Sequence, residues 1–468
     1  MPGPILDLGR PRRLHLVGVG GSGMAPLARI LAGMGHSVSG SDVARTSRTE
    51  GLAALGVVVN LGHDPRHVAG AEVVVASTGI PEHNPELVGA RQAGIPVVRR
   101  SAALAAVCAL RRTLAVGGTH GKTTTTAMLA AVLTEAGVRP SFLIGGDLVG
   151  GGESAAWHDS EWFVVEADES DGTFLELGAE AVVLTSVEPD HLDHHGSVDA
   201  LLSAFARFLA EAPGPRVVCT DDPGAARVAA ELPHLSYGTG PGARYVVSDV
   251  EPARSAVSFS LADDGVELGR LRVNLPGLHN ARNAAGAAVA AMALGTSFEA
   301  AGRGLAGFAG VARRFEWRGE VDGVAFVDSY DHLPGEVAAV VAAARDGGWR
   351  RIVCVFQPHR YTRTAALWRD FASAFDGADV VAVTDIYPAG QAPIPGVTGK
   401  LVVDAILDVA PGRRVAWLPR RRDVLAWLVA ELRPGDLCLT LGAGDLTTVP
   451  DEVMELLARR RAASRPAG

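Results

Sequence analysis

A lysine and a threonine that follow three glycines could hold the phosphates of a nucleoside triphosphate. They lie in the run VGGTHGKTTTTAM, residues 116–128. A strand-like apolar segment, residues 113–116, precedes it, and an Ala-rich helical pattern over 127–135 follows. Glycine lets backbone N–H groups turn toward a phosphate, and a helix N-terminus adds partial positive charge. Gly118, Thr119, His120 and Gly121 would form the loop, with Lys122 reaching the terminal phosphates. Thr123 would offer its hydroxyl to Mg2+, and Thr124 would follow it at the helix start. Val116 stands where a full phosphate-loop pattern has its first glycine. A merely structural Gly-rich turn is the bland alternative. Lysine usage argues against it, because 43 Lys+Arg include only Lys122 and Lys400. A chain written in arginine keeps lysine where a compact point charge is wanted.

Acidic residues gather after two further apolar runs. EWFVVE, residues 161–166, leads into Glu166, Asp168, Glu169 and Asp171. The run 181–186 leads into VEPDHLD, which carries Asp190 and His191. Carboxylates and a histidine at the ends of parallel strands, beside a phosphate loop, suit a Mg2+–nucleotide site. Solvated loop residues are the alternative for any one of them. His191 fits a metal ligand or a helix cap.

Three more constellations could bind ligands. Gly18-Val19-Gly20-Gly21-Ser22-Gly23 is GxGxxG between a strand pattern, 14–19, and a helical pattern through Leu31. Asp42 follows at about the spacing of a dinucleotide-binding acid. That half alone suits an NAD-dependent oxidoreductase, although the same turn holds any diphosphate. In LHNARN, Asn280 and Asn283 share a helix face and fit either base recognition or helix capping. FQPHRYTRT places His359, Arg360 and Arg363 after a strand pattern, where they suit a carboxylate or phosphate.

These residues need a scaffold that ends many strands on one side. The 468 residues are long enough for about three domains. Strand and helix patterns alternate through most of the chain, which predicts α/β architecture. The expected domains are an N-terminal Rossmann-like domain over 1–110, a central P-loop ATPase-like sheet over 111–310, and a C-terminal Rossmann-like domain over 311–468. Residues 240–275 alternate with Gly breaks and predict antiparallel strands. The net charge of −9, with no basic stripe, argues against a nucleic-acid partner. No apolar run is long enough to span a bilayer, and residues 1–13 lack a signal-type apolar stretch. Four scattered cysteines, Cys108, Cys219, Cys354 and Cys438, predict buried thiols, and the cytoplasm is the expected location.

The order of the motifs GVGGSGM, SGSD, GTHGKTTTT, EADESD, PDHLD, LHNARN, GVARRFE, FQPHRYTRT and PIPGVTGK resembles the Mur ligase family. FQPHRYTRT and GVGGSGM point to its L-alanine-adding branch. The resemblance implies an ATP- and Mg2+-dependent ligase that joins L-alanine to UDP-N-acetylmuramate through an acyl phosphate. It implies a monomer or weak homodimer, with a third domain that closes over ATP. By motif, Gly20, Gly21, Ser22 and Gly23 would cradle the UDP diphosphate, with Asp42 near the uridine. Thr123, Glu166 and His191 would hold Mg2+. His279, Asn280 and Asn283 would lie by the ATP base, with Arg314 and Asp328 also on ATP. Tyr330, His332, His359, Arg360 and Arg363 would face the amino acid and the transferring phosphate. Lys122, His191, His332 and Arg360 would be the catalytic set.

Two departures stand out. The family pattern DDYxHHP is DSYDHLP here, with Ser329, Asp331 and Leu333 at the altered positions. Other branches carry a carbamylated lysine near the metal, and no lysine follows PDHLD until Lys400. A non-catalytic nucleotide switch and a peptide-adding ligase are the competing readings. Only the altered loop favours the first, and FQPHRYTRT argues against the second.

Overall fold

Near-continuous apolar runs such as WFVVE, AVVL and RIVCVF become inner strands of parallel sheets, because helices cover both faces. The computed structural model describes residues 6–77 and 79–463. The first five residues, part of the stretch without a signal-type run, lie outside them.

The first sheet holds β1 (Arg13–Val17), β2 (Ser37–Asp42), β3 (Val58–Leu61), β4 (Val73–Ala76) and β5 (Val97–Arg99). Its order is β3-β2-β1-β4-β5, all parallel. The order reverses beside β1, so the glycine turn after β1 opens at the switch point where such sheets bind ligands.

The second sheet holds β6 (Arg112–Gly117), β7 (Ser141–Leu143), β8 (Ala155–Ala156), β9 (Trp162–Glu166), β10 (Ala181–Leu184), β11 (Arg216–Cys219), β12 (Leu235–Gly238), β13 (Tyr245–Ala253), β14 (Ala256–Asp263) and β15 (Val266–Val273). Its order is β15-β14-β13-β12-β11-β10-β6-β9-β7-β8. β6, the strand before the phosphate loop, lies between β10 and β9, the two strands that end in acidic motifs.

The third sheet holds β16 (Glu316–Val321), β17 (Val324–Ser329), β18 (Arg351–Phe356), β19 (Val380–Val383), β20 (Val415–Trp417) and β21 (Asp436–Leu441). Its order is β16-β17-β21-β18-β19-β20, parallel except for β16. Helices Pro334–Asp346 and Lys400–Val409 cover one face, and Arg421–Glu431 and Val449–Ala463 the other.

The chain forms two compact units. One runs up to Ser248 and adds Ser260–Leu271 and Arg282–Ala309, so it contains the first sheet and most of the second. The other comprises Asp249–Phe259, Arg272–Ala281 and the chain from Gly310 on. All four cysteines are buried free thiols. Among the described residues no helix is long and apolar enough to cross a membrane.

Several elements differ from the sequence expectation. The helix expected over 127–135 begins at Lys122. Its four threonines are poor helix formers, but all are buried, and packing outweighs propensity. The strand expected to reach residue 186 stops at Leu184, and Thr185 and Ser186 turn toward the phosphate loop. The helix carrying LHNARN starts at Leu278, so Asn280 and Asn283 lie inside it and are not caps.

Candidate active site

The phosphate loop is held by the strand next to it. Thr185 N–H donates to Gly117 O (3.0 Å), and Thr119 N–H donates to Ser186 O (2.9 Å). His120 N–H donates to Ser186 Oγ (2.9 Å), and Glu188 N–H donates to Thr119 Oγ1 (2.8 Å). His120 Nε2 lies 3.2 Å from Glu188 Oε2. Two glycines are required here. Gly118 has φ +134°, and a Cβ would sit 2.1 Å from Thr185 Oγ1. Gly121 has φ +78°, and a Cβ would meet Asn283 Oδ1 at 2.5 Å. Asn283 is thereby placed against the loop, and Thr124 is buried just beyond it.

Lys122 turns its ammonium back over this loop. Nζ donates to Gly118 O, to Thr119 O (3.2 Å) and to Glu169 Oε1 (2.9 Å). Burial works against the charge, but the carboxylates of Glu169, Glu166 and Asp168 outweigh it and raise the lysine above its ordinary value. Thr123 Oγ1 donates to Glu166 Oε1 (3.1 Å), and Glu166 Oε2 accepts from Gly145 N–H (2.8 Å). A hydroxyl and a carboxylate at a helix N-terminus are hard oxygen donors, the chemistry Mg2+ takes. Among the described residues no group of three or more His, Cys, Asp or Glu is arranged to hold a metal. Two protein oxygens still fit an ion that keeps water and phosphate oxygens as its other ligands. His191 begins the helix Leu192–His195 with φ 52°, and its Nε2 lies 3.4 Å from Asp190 Oδ2.

The glycine turn after β1 belongs to the same compact unit. Gly18 and Val19 N–H both donate to Ser41 O at 2.9 Å. Asp42 Oδ2 accepts from Gly20 N–H at 2.8 Å. Gly21 O accepts from Met24 N–H (3.0 Å), which starts the helix Met24–Gly33 behind Ser22 and the cap residue Gly23. Arg100 was not singled out in the sequence. A Cβ on Gly23 would touch its Nη1 at 3.1 Å, and Nη2 lies 3.4 Å from Asp171 and 3.6 Å from Asp168. One guanidinium thus spans the glycine turn and the acidic cluster. Its position directly after β5, at the C-terminal end of a parallel strand, was the available signal.

In the other unit, Asn280 Nδ2 donates to Pro276 O (2.8 Å) and lies 3.1 Å from His279 Nε2. Asp328 is buried, and its carboxylate accepts from Thr440 Oγ1 (2.7 Å), Thr447 Oγ1 (2.6 Å) and Arg313 Nε (3.2 Å). Tyr330 lies under the guanidinium groups of Arg313 (4.9 Å) and Arg314 (5.3 Å). His332 meets the rings of Tyr330 and His359 edge-on, each at 5.5 Å. His359 stacks on Tyr387 at 5.7 Å, and its Nδ1 lies 3.3 Å from Arg363 Nη1. Arg360 has φ 68°, held by its N–H to Tyr387 O (2.9 Å). Tyr387 is a second residue that sequence reasoning missed, because nothing in TDIYPAG ties it to FQPHRYTRT.

Burial and the neighbouring arginines keep both imidazoles neutral. His332 is pushed down to about 4, mainly by burial, and His359 to about 3 by burial, His332 and the arginines. The unfolded chain takes up a proton near 6.5, and folded His332 only near 4. Stability supplied by neutral His332 is therefore complete above pH 6.5 and lost as pH falls to 4, about 3 kcal/mol in all. Asp331, raised to about 6 mainly by burial, acts in the opposite sense between 3.8 and 6. The difference between variants isolates the histidine. His332→Asn is expected to remove about one proton from the pH dependence of denaturant stability in that window. An unchanged slope would contradict the buried neutral state.

Three family models match the chain: Mur ligase family, catalytic domain, over residues 13–112; Mur ligase middle domain over 116–291; and Mur ligase, glutamate ligase domain, over 313–444. The chain belongs to the Mur ligase family. A UDP-N-acetylmuramate–L-alanine ligase of Kineococcus radiotolerans is 46% identical over 96% of this chain and 97% of its own length. One of Solidesulfovibrio magneticus is 44% identical over 95% and 98%. Among solved structures, the UDP-N-acetylmuramate-alanine ligase of Thermotoga maritima superposes with TM-score 0.80 at 26% identity, covering 97% of this chain and all of that one. The fold is thus the three-domain α/β arrangement of the Mur ligases.

The altered loop brings the Asp331 carboxylate onto Ser329. Ser329 Oγ donates to Asp331 Oδ2 and accepts from Phe315 N–H (3.0 Å), and Asp331 Oδ1 lies 3.6 Å from Arg314. The acid that the Mur ligase pattern carries at residue 329 has a counterpart two residues on. Leu333, in place of the second histidine, is buried at the start of the helix Pro334–Asp346.

Proposed function

We propose that this Mur ligase is a UDP-N-acetylmuramate–L-alanine ligase, which forms ADP and phosphate and serves peptidoglycan precursor synthesis. The observation that carries this reading is a phosphate loop with Lys122, Thr123 and Glu166 in one compact unit with a diphosphate-type glycine turn. Near-full-length identity to ligases of that name supports the substrate assignment.

The reaction divides into two displacements. A lactyl carboxylate oxygen attacks the γ-phosphorus of ATP, the β–γ bridging P–O bond breaks, and ADP leaves. The amine of L-alanine then attacks the acyl carbon of the resulting acyl phosphate. The acyl C–O bond of the acyl phosphate breaks, phosphate leaves with one former carboxylate oxygen, and the neutral amine loses one proton to solvent and keeps the other as the amide N–H. The lactyl carboxylate and the triphosphate are both anionic at the reacting atoms of the first displacement, so positioning and charge neutralisation supply most of the rate.

Lys122 meets the β- and γ-phosphates when ATP replaces Glu169 as its partner. Gly118, Thr119, His120, Gly121 and Thr124 wrap the triphosphate through the loop and helix N-terminus. Thr123 and Glu166 would hold Mg2+, with His191 toward a second ion. When bound, Mg2+ supplies charge neutralisation at the phosphate oxygens. Gly20, Gly21, Ser22 and Gly23 take the UDP diphosphate. Asp42 supports that turn through Gly20, and Arg100 adds positive charge beside Gly23. Asn283, His279 and Asn280 serve the adenine side, together with Arg314. Asp328 orders the strand end that carries Tyr330. Arg360, Arg363 and the neutral imidazoles of His332 and His359 receive the amino-acid carboxylate.

The test is phosphate release with each substrate omitted in turn. Release is expected only when ATP, UDP-N-acetylmuramate and L-alanine are all present. Sustained release without L-alanine, or with a peptide in its place, would sink the assignment.

No carbamylated lysine takes part in this scheme. Lys122 is paired with Glu169, and Lys400 is half exposed and paired with Asp404 at 2.6 Å on the helix Lys400–Val409. Turnover is therefore expected to be equal in CO2-stripped and bicarbonate-supplemented buffer at constant pH. Reversible loss on stripping would contradict this and point to Lys400.

A further inference from the structure

The N-terminal sheet contains a polar cluster that the scheme above does not use. Glu86 is in the first turn of the helix Pro85–Gln92 and is completely buried. Residues from several elements converge on its carboxylate. His67 Nδ1 lies 2.7 Å from Oε1, and His63 Nδ1 lies 3.1 Å from Oε2. The Ser41 hydroxyl donates to Oε2, Asp64 N–H approaches Oε1 at 3.4 Å, and His15 Nε2 lies 3.7 Å from Oε2. Burial pushes the Glu86 carboxyl up, but the contacts from His15, Ser41, His67 and His63 prevail and bring it down to about 2. Ionised, it accepts only, so the His67 nitrogen that meets it carries a proton.

The cluster is joined to the glycine turn through Ser41 and Asp42. The Ser41 side chain is fixed by Glu86, while its carbonyl accepts the N–H groups of Gly18 and Val19. The Asp42 carboxylate holds Gly20, and its carbonyl accepts Gly62 N–H (2.8 Å), next to His63. Both sides of the strand end that shapes the turn are therefore tied to one carboxylate. A preorganised turn binds a diphosphate without first having to order its own backbone.

We propose that Glu86 is a positioning residue for the nucleotide-sugar diphosphate: through Ser41, His63 and His67 it fixes the strand end that shapes the Gly18–Gly23 turn. This rests on the assignment of that turn to UDP-N-acetylmuramate. It separates Glu86 from the ATP half of the chemistry, because the phosphate loop is held by Thr185, Ser186 and Glu188 instead.

The test measures affinity for UDP-N-acetylmuramate and for ATP by calorimetry, with KM and kcat, in Glu86→Gln, His67→Phe and His67→Asn. A neutral amide in place of the carboxylate turns one acceptor toward the donors as another donor. Glu86→Gln is expected to weaken UDP-N-acetylmuramate binding about tenfold, leaving ATP affinity and saturated kcat close to wild type. His67→Phe removes one donor and should weaken the same substrate, and His67→Asn, which restores an N–H there, should recover it. If Glu86→Gln does not fold, the two His67 variants decide alone. Wild-type-like nucleotide-sugar binding in the folded Gln and Phe variants, or equal losses for both nucleotides, overturns the proposal. If the wild-type enzyme itself binds no UDP-N-acetylmuramate, the assignment of the turn has failed.

Discussion

Lys122→Arg is expected to lose at least ~100-fold in turnover while the fold survives, the scale of removing one preorganised donor aimed at developing charge. The change keeps the charge and alters only its shape. Lys122 Nζ sits among Gly118 O, Thr119 O and Glu169, and the side chain is 14% exposed. A planar guanidinium is longer and carries its donors in a fixed fork, so it cannot occupy that point without moving the loop. The loop has little freedom to move, because Gly118 lies against Thr185 and Gly121 against Asn283. ATP affinity should change less than kcat, since the loop N–H groups still bind phosphate. A single-turnover measurement with a circular-dichroism control separates these effects. Near-wild-type turnover in a folded variant would remove Lys122 from the reacting phosphates.

Arg363→Ala is expected to raise the KM for L-alanine by ~30-fold or more, with a much smaller change in the KM for ATP. Loss of one partner from a buried, hydrogen-bonded charge pair costs about 2–5 kcal/mol. Arg363 is half-buried beside His359, whose stack on Tyr387 fixes the ring. His359 and His332 are neutral, so the arginines are the local charges able to meet a carboxylate. Arg360→Ala should act in the same direction and add a backbone effect, because Arg360 holds φ 68°. Equal effects on the two substrates would assign these arginines to phosphate instead.

Much of this site was legible because strand ends in parallel sheets carry their ligand residues in short contiguous motifs. GTHGKT and the glycine turn each lie between an apolar run and a helix, EADESD follows an apolar run, and the structure places each after a strand. What stayed hidden depends on partners distant in sequence. Glu169 pairs with Lys122 across 47 residues, and Arg100 reaches Asp171 across 71. Tyr387 meets His359 only because β18 and β19 are neighbours. Local propensity misled at the four threonines after Lys122, where burial outweighs β-branching. The loop DSYDHLP looked like a loss at Ser329, since periodicity does not reveal that Asp331 turns back onto the serine hydroxyl.

The central claim is that a substrate carboxylate is activated by phosphorylation before the amide forms. The most direct measurement follows oxygen. UDP-N-acetylmuramate labelled with heavy oxygen in its lactyl carboxylate is turned over with ATP and L-alanine, and the released phosphate is analysed by mass spectrometry. One labelled oxygen is expected in each phosphate, carried off when the C–O bond of the acyl phosphate breaks. Unlabelled phosphate, with product still formed, would contradict the account.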